Sequence, residues 1–167
     1  MVRLYLVRHA IAFERDSDKW ADDAKRPLTH KGIARMREVV DGLLELNVAL
    51  DLVVTSPFVR AKQTAEVIIA GMPDPPELVV SESMSPSGSP AAVAELLSRH
   101  TKLESIALVG HEPSLGELGA WLTGAKNPLA FKKGGVACVE MPTLPIVGPG
   151  QLIWLATPRM LRSLDAV

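Results

Sequence analysis

Two arginines and two histidines stand close to the ends of three short apolar runs. Arg8 and His9 directly follow the first run. Arg60 comes shortly after the second run, and His111 shortly after the third. If the three runs are parallel strands, their carboxyl ends lie at one edge of a sheet, where α/β proteins bind their ligands. The sequence therefore predicts a compact cationic pocket built from these four side chains.

This set of side chains suits a phosphoryl group. Arginine presents a planar fork of donors that matches phosphate oxygens and stays charged at any working pH. A neutral histidine can attack phosphorus and form a covalent phosphohistidine. A second histidine, when protonated, can donate to the oxygens as charge spreads in the transition state. We expect no metal ion, because neighbouring arginines would repel a cation and no His-x-His or His-x-x-x-His pair is present.

The elements that must position these residues follow from the alternation of apolar runs and helical patterns. This alternation is typical of a three-layer α/β sandwich with a mostly parallel central sheet flanked by helices. Thr29 is the predicted N-cap of the first helix, after an irregular loop over residues 10–28. The last two strands are predicted to form an edge hairpin. Strands are expected at residues 2–7, 52–55, 78–80, 105–109, 136–141 and 152–156, and helices at 30–46, 57–70, 90–100, 113–123 and 158–164.

Length and composition bound the class of protein. The 167 residues are expected to form one domain, 1–167. Eighteen Lys and Arg stand against 19 Asp and Glu, so a net charge of −1 excludes a broad basic face for nucleic acid or a membrane surface. No apolar stretch is long enough to span a bilayer. The single cysteine, Cys138, fits a reducing compartment. We expect a soluble cytoplasmic protein with no nucleic-acid or membrane partner.

Five motifs spread over nearly the whole chain resemble those of the histidine phosphatase superfamily, also called phosphoglycerate mutase-like. Within it the chain is most similar to the SixA-type phosphohistidine phosphatases, since its length leaves little room for the segments that cap the site in larger members. The resemblance implies a phosphoglycerate mutase-like fold. It rests on LYLVRHA at 4–10, RPLTHKG at 26–32, TSPFVRAKQTAE at 55–66, ALVGHEPSL at 107–115 and FKKGGVACVE at 131–140.

Matched to the motifs of this family, the pocket residues take on individual roles. The resemblance implies that His9 is the phosphorylated nucleophile and that His111 is the second pocket histidine. It implies that Arg8 and Arg60 bind phosphate. Arg26, in the RPLT segment, matches a SixA-type arginine that reaches the phosphate or the substrate.

Two carboxylates are candidates for the acid that protonates the leaving group. Glu82 lies in SESMSPSG, which resembles the segment that supplies this glutamate in mutase-like members. Glu112 directly follows His111, where phytase-like members place an aspartate. Glu82 is favoured and Glu112 stays open. When the phosphoramidate bond of a phosphohistidine breaks, imidazole is the leaving group, and it needs only modest help from either acid.

The resemblance implies a metal-independent, cofactor-free phosphatase that acts through a phosphohistidine intermediate. The expected partner is a phosphohistidine on a signalling protein. One alternative is a small phosphorylated substrate, handled by a phosphomonoesterase or mutase of the same superfamily. Another is a non-catalytic phosphate-binding module, against which the intact nucleophile His9 argues.

Overall fold

A computed structural model describes residues 1–164, so the predicted domain 1–167 extends beyond the described part. The elements alternate along the chain as the apolar pattern predicts. The strands are β1 (Val2–Arg8), β2 (Leu52–Thr55), β3 (Glu77–Val80), β4 (Ser105–Gly110), β5 (Val136–Met141) and β6 (Gln151–Ala156); the α-helices are α1 (His30–Glu45), α2 (Val59–Gly71), α3 (Pro90–Leu97), α4 (Ser114–Thr123) and α5 (Pro158–Leu164).

The strands form one mixed sheet with the order β3-β2-β4-β1-β5-β6. The strands from β3 to β1 in this order are parallel. β5 pairs antiparallel with β1 and with β6, so the edge hairpin is confirmed. The predicted α/β class with a mostly parallel sheet is also confirmed, with a sheet that is mixed at one side.

Alternating side chains of the central strands divide the core into two layers. In β1, Tyr5 and Val7 pack with α1, α2 and α5, whereas Leu4 and Leu6 pack on the other face with α3 and α4. A period of two is what a strand with two buried faces requires. The sheet is therefore covered on both sides. Its carboxyl edge is the place where loops can build a site.

Helix ends agree with the predicted signals to within a few residues. Thr29 caps α1, because its Oγ1 accepts a hydrogen bond from Gly32 N–H at 2.9 Å. Helix α2 begins at Val59 rather than at Pro57. The Ser56 hydroxyl accepts the Phe58 N–H at 3.2 Å, which holds a turn before the helix. In the described part of the chain, no helix has both the length and the apolar content to cross a membrane.

Strand register brings the predicted pocket residues together. β1 and β4 align Arg8 with Gly110. Beyond the paired strands, His9 N–H donates to the Gly110 carbonyl at 3.0 Å, and Ser56 N–H donates to the Val109 carbonyl at 3.1 Å. The residues that follow β1, β2 and β4 therefore lie side by side at one edge.

Candidate active site

A cavity of about 540 Å³ opens at the carboxyl ends of β1 and β4. A second cavity, of about 560 Å³, lies between α1 and α2 and includes none of the predicted site residues. Across residues 1–164, no group of three His, Cys, Asp or Glu side chains is arranged to hold a metal ion. The cavity at the strand ends is lined by five predicted residues, Arg8, His9, Arg26, Arg60 and His111, together with Phe13, Glu14, Arg15, Asp23, Phe58, Pro86, Glu112 and Lys133.

His9 is buried, and one of its ring nitrogens forms a hydrogen bond. Its Nδ1 lies 2.7 Å from the Ala10 carbonyl oxygen. A carbonyl can only accept, so Nδ1 carries the proton and Nε2 keeps a lone pair. The Ala10 N–H in turn donates to Thr64 Oγ1 at 3.0 Å, which anchors the turn. Burial lowers the pKa of His9 to about 3. The imidazole is therefore neutral near pH 7, as a nucleophile must be.

His111 forms a hydrogen bond through the other ring nitrogen, Nε2. Its Nε2 lies 2.7 Å from Ser56 Oγ, and its Nδ1 has no hydrogen-bond partner in residues 1–164. The ring centroid is 5.3 Å from that of His9. Burial, and then the positive charge of Arg60, lower the pKa of His111 to about 4. The sequence analysis expects that this histidine can donate when it is protonated. Burial makes the ring neutral near pH 7 in this structure, so the donor that it offers there is an uncharged N–H.

Hydrogen bonds to protein oxygen atoms hold part of the guanidinium group of both Arg8 and Arg60. Arg60 donates from Nη1 to the Asp23 carbonyl at 2.9 Å and from Nη2 to Asp23 Oδ2 at 3.1 Å. Arg8 donates from Nη1 to the Phe131 carbonyl at 2.7 Å. In both, Nε is buried without a partner among the described residues. Each guanidinium is thus oriented by protein groups and keeps donors for an anion.

Asp23 is a site residue that the sequence reasoning missed. Its carboxylate joins two arginines, since Oδ2 accepts from Arg60 and Oδ1 accepts from Arg26 Nε at 2.9 Å. Arg26 also donates to the Phe13 carbonyl at 2.6 Å. Partial burial opposes ionisation, but the Arg26 hydrogen bond and the charge of Arg60 lower the pKa of Asp23 overall. The one available signal was a carboxylate three residues before a predicted pocket arginine.

The two candidate proton donors lie in different places. Glu112 is on the cavity wall, where Oε1 accepts from Gly116 N–H at 2.7 Å and Oε2 from Phe131 N–H at 3.4 Å. Glu82 is exposed at the start of a short 3₁₀ helix whose buried residue is Met84. The structure therefore brings Glu112, but not Glu82, to the cavity.

The chain is similar in sequence to a known protein family. Residues 4–82 match the histidine phosphatase superfamily, branch 1. The chain is 35% identical over 139 residues to an uncharacterized protein of Picosynechococcus sp. strain PCC 7002, with 81% of this chain and 82% of that protein covered. The chain belongs to the histidine phosphatase superfamily.

Two further comparisons cover almost the whole of this histidine phosphatase. The phosphohistidine phosphatase SixA of Escherichia coli K12 is 29% identical over 168 residues, with 99% of this chain and 100% of that protein covered. A structure of the protein histidine phosphatase SixA complexed with tungstate superimposes with a TM-score of 0.85 at 27% identity, covering 96% and 99% of the two chains. The SixA-type resemblance is confirmed, and the likeness supports phosphatase activity.

Proposed function

We propose that this histidine phosphatase hydrolyses phosphohistidine on a signalling protein in the cytoplasm, without a metal ion and through a phosphohistidine on His9. One observation carries the proposal. Four buried side-chain nitrogens lack a partner within residues 1–164, and three of them belong to residues that line this cavity with the neutral His9 ring and its free Nε2: Arg8 Nε, Arg60 Nε and His111 Nδ1; the fourth, Arg162 Nε, lies elsewhere. Buried polar groups are ordinarily paired, so this cluster fits a ligand rich in acceptor oxygens.

In the first step, His9 Nε2 attacks phosphorus in line. A new N–P bond forms at His9 as the N–P bond to the substrate imidazole breaks, and the electron pair of that bond leaves with the substrate ring. Arg8, Arg60 and His111 donate to the three phosphoryl oxygens. Arg26 supports Arg60 from the far side of Asp23.

In the second step, water attacks the phosphorus of phospho-His9. The N–P bond to His9 breaks, inorganic phosphate leaves, and the ring returns to its neutral form.

The substrate imidazole, which leaves in the first step, takes up a proton as it leaves. Because imidazole is a good leaving group, this proton can come from solvent, with Glu112 on the cavity wall as the candidate acid. Glu82 would act only on a substrate that reaches beyond the cavity.

A protein-borne phosphohistidine suits the surroundings of the cavity. Phe13, Glu14 and Arg15 on its rim are exposed, so a side chain projecting from another protein can enter. The similarity to E. coli SixA, named as a phosphohistidine phosphatase, supports the same choice. The lone Cys138 is buried and free, as suits a reducing cytoplasm.

A substrate panel tests the proposal. A phosphohistidine-containing protein, an aryl phosphate, phosphoserine and small metabolite phosphates are compared under one condition by release of inorganic phosphate, with His9→Asn as the inactive control. We expect the highest kcat/KM for the phosphohistidine protein. A higher value for a metabolite phosphate would favour the phosphomonoesterase alternative. Transfer between metabolites without phosphate release would favour a mutase, and binding without turnover a non-catalytic module.

Chelation tests the metal-free step separately. Activity in the presence of excess EDTA should equal activity in its absence. Inhibition that is reversed by adding back a divalent cation would contradict a metal-free mechanism.

A further inference from the structure

The hydroxyl of Ser56 lies between two nitrogen groups in a fully buried place. Ser56 has no exposed surface and His111 is 3% exposed. Ser56 Oγ is 2.7 Å from His111 Nε2 and accepts the Phe58 N–H at 3.2 Å. No other hydrogen bond of this hydroxyl occurs within residues 1–164. The position of one proton therefore decides how the three groups are paired.

Only one arrangement satisfies all of them. A serine hydroxyl has one proton to donate and two lone pairs. If Ser56 donates to His111 Nε2, its lone pair accepts from Phe58, and these three groups are all paired. If instead Nε2 carried the proton and donated to Ser56, the serine proton would have no acceptor. The first arrangement thus leaves one buried group without a partner among the described residues, His111 Nδ1–H, whereas the second leaves two, the serine O–H and the Nδ1 lone pair.

We propose that Ser56 is a positioning residue that donates to Nε2 of His111 and so fixes the imidazole tautomer with its proton on Nδ1. Nδ1 is the nitrogen that has no partner in the described part of the chain. On the proposed function, this N–H is the donor to a phosphoryl oxygen. The opposite tautomer would present a lone pair to that oxygen and repel it.

This assignment explains how His111 can act as a donor without charge. Its pKa of about 4 makes the ring neutral near pH 7. A neutral imidazole donates through one nitrogen only, so which nitrogen carries the proton decides whether the residue helps or hinders. Ser56 supplies that choice through a bond that also holds the turn before α2.

The test is long-range ¹H–¹⁵N NMR of protein labelled with ¹⁵N-histidine, near pH 7 and without substrate. The chain has 4 histidines, and single variants assign their signals. We expect the wild type to show His111 with Nδ1 protonated and Nε2 bare. Ser56→Ala should populate the other tautomer and lower kcat/KM about 10- to 100-fold. Thr55→Val removes a neighbouring buried hydroxyl, whose hydrogen bond within residues 1–164 goes to the Ser56 carbonyl, and is the matched control.

The outcomes separate this proposal from the proposed function. A wild-type His111 protonated on Nε2 would overturn the tautomer assignment, and this tautomer is measured on the wild-type protein. Ser56→Ala with a wild-type tautomer would also overturn it, even if activity fell. Ser56→Cys, which keeps a weak donor, should give an intermediate tautomer ratio and activity. If wild-type protein has the expected tautomer but hydrolyses no phosphohistidine, the proposed function fails and the role of Ser56 in fixing the tautomer stands.

Discussion

The turns after β1 and β4 each begin with a buried histidine, but the two rings are held differently. His9 gives its Nδ1 proton to a backbone carbonyl, that of Ala10. His111 meets a side-chain hydroxyl, that of Ser56, at Nε2. Burial lowers both pKa values, to about 3 and about 4. With Ser56 as donor, both rings are neutral and both carry their proton on Nδ1.

The difference between these turns is which nitrogen is left free. At His9 the free Nε2 has a lone pair, as the proposed nucleophile requires. At His111, with Ser56 as the proposed donor, the free Nδ1 has a proton, as a donor to phosphate requires. One tautomer thus suits both proposed roles, because the protein binds opposite sides of the ring. Residue type alone does not separate nucleophile from stabiliser; the partner of each nitrogen does.

Replacing each of the two histidines by asparagine should have the largest effect on turnover. His9→Asn should reduce turnover at least about a thousandfold, since an amide cannot carry the phosphoryl group. His111→Asn should cost about 100-fold, because an amide N–H can partly replace the donor. Phosphohistidine turnover and tungstate binding are measured for both. Appreciable turnover by His9→Asn would remove it as nucleophile, whereas tungstate affinity should change little in that variant.

The free energy of unfolding should decrease at acid pH, because His9 and His111 are buried as neutral rings. Their folded pKa values lie below the ordinary value of about 6.5, so the unfolded chain binds more protons as pH falls. Stability present above about pH 6.5 is therefore lost towards about pH 4. His9→Asn should make the free energy of unfolding fall less steeply between about pH 6 and about pH 4.5, by roughly 1.4 kcal/mol per pH unit. Urea unfolding in phosphate-free buffer measures this, and equal slopes would contradict a neutral buried His9.

A change on the loop side of the cavity should have a smaller effect than changes at the strand ends. Asp23→Asn keeps the shape but weakens the ties to Arg60 and Arg26, so kcat/KM should fall about tenfold. Asp22→Asn, in an exposed neighbour, is the matched control. Steady-state kinetics and tungstate affinity should change together for Asp23→Asn. Unchanged affinity would show that Arg60 is oriented without Asp23.

The two glutamates should give the smallest difference, and only with poor leaving groups. Glu112→Gln should slow an alkyl phosphate several-fold more than phosphohistidine, because only the alkoxide needs a proton donor. Glu82→Gln should stay within about twofold of wild type on both, since Glu82 is exposed and away from the cavity. Selective slowing in Glu82→Gln would assign the acid to Glu82 instead.

Much of this molecule could be predicted because its signals are local. Strand ends, the Thr29 cap and the placement of Arg8, His9 and His111 at one edge follow from apolar runs and from the geometry of parallel strands. The site of Glu82 could not be read in this way, because a short helix with Met84 in the core leaves that carboxylate in solvent. Asp23 was missed for the same kind of reason, since its partner Arg60 is distant in sequence.

The sequence by itself determined the class of fold and the types of group at the strand ends, since periodicity and residue chemistry are properties of short segments. Only the tertiary structure decided the protonation and orientation of those groups. Burial makes the histidines neutral. At His111 a residue from a separate segment, Ser56, occupies one ring nitrogen, whereas at His9 the neighbouring Ala10 carbonyl does so, in a turn that Thr64 anchors from a separate segment. Such contacts depend on how strands align, and no local pattern encodes that alignment.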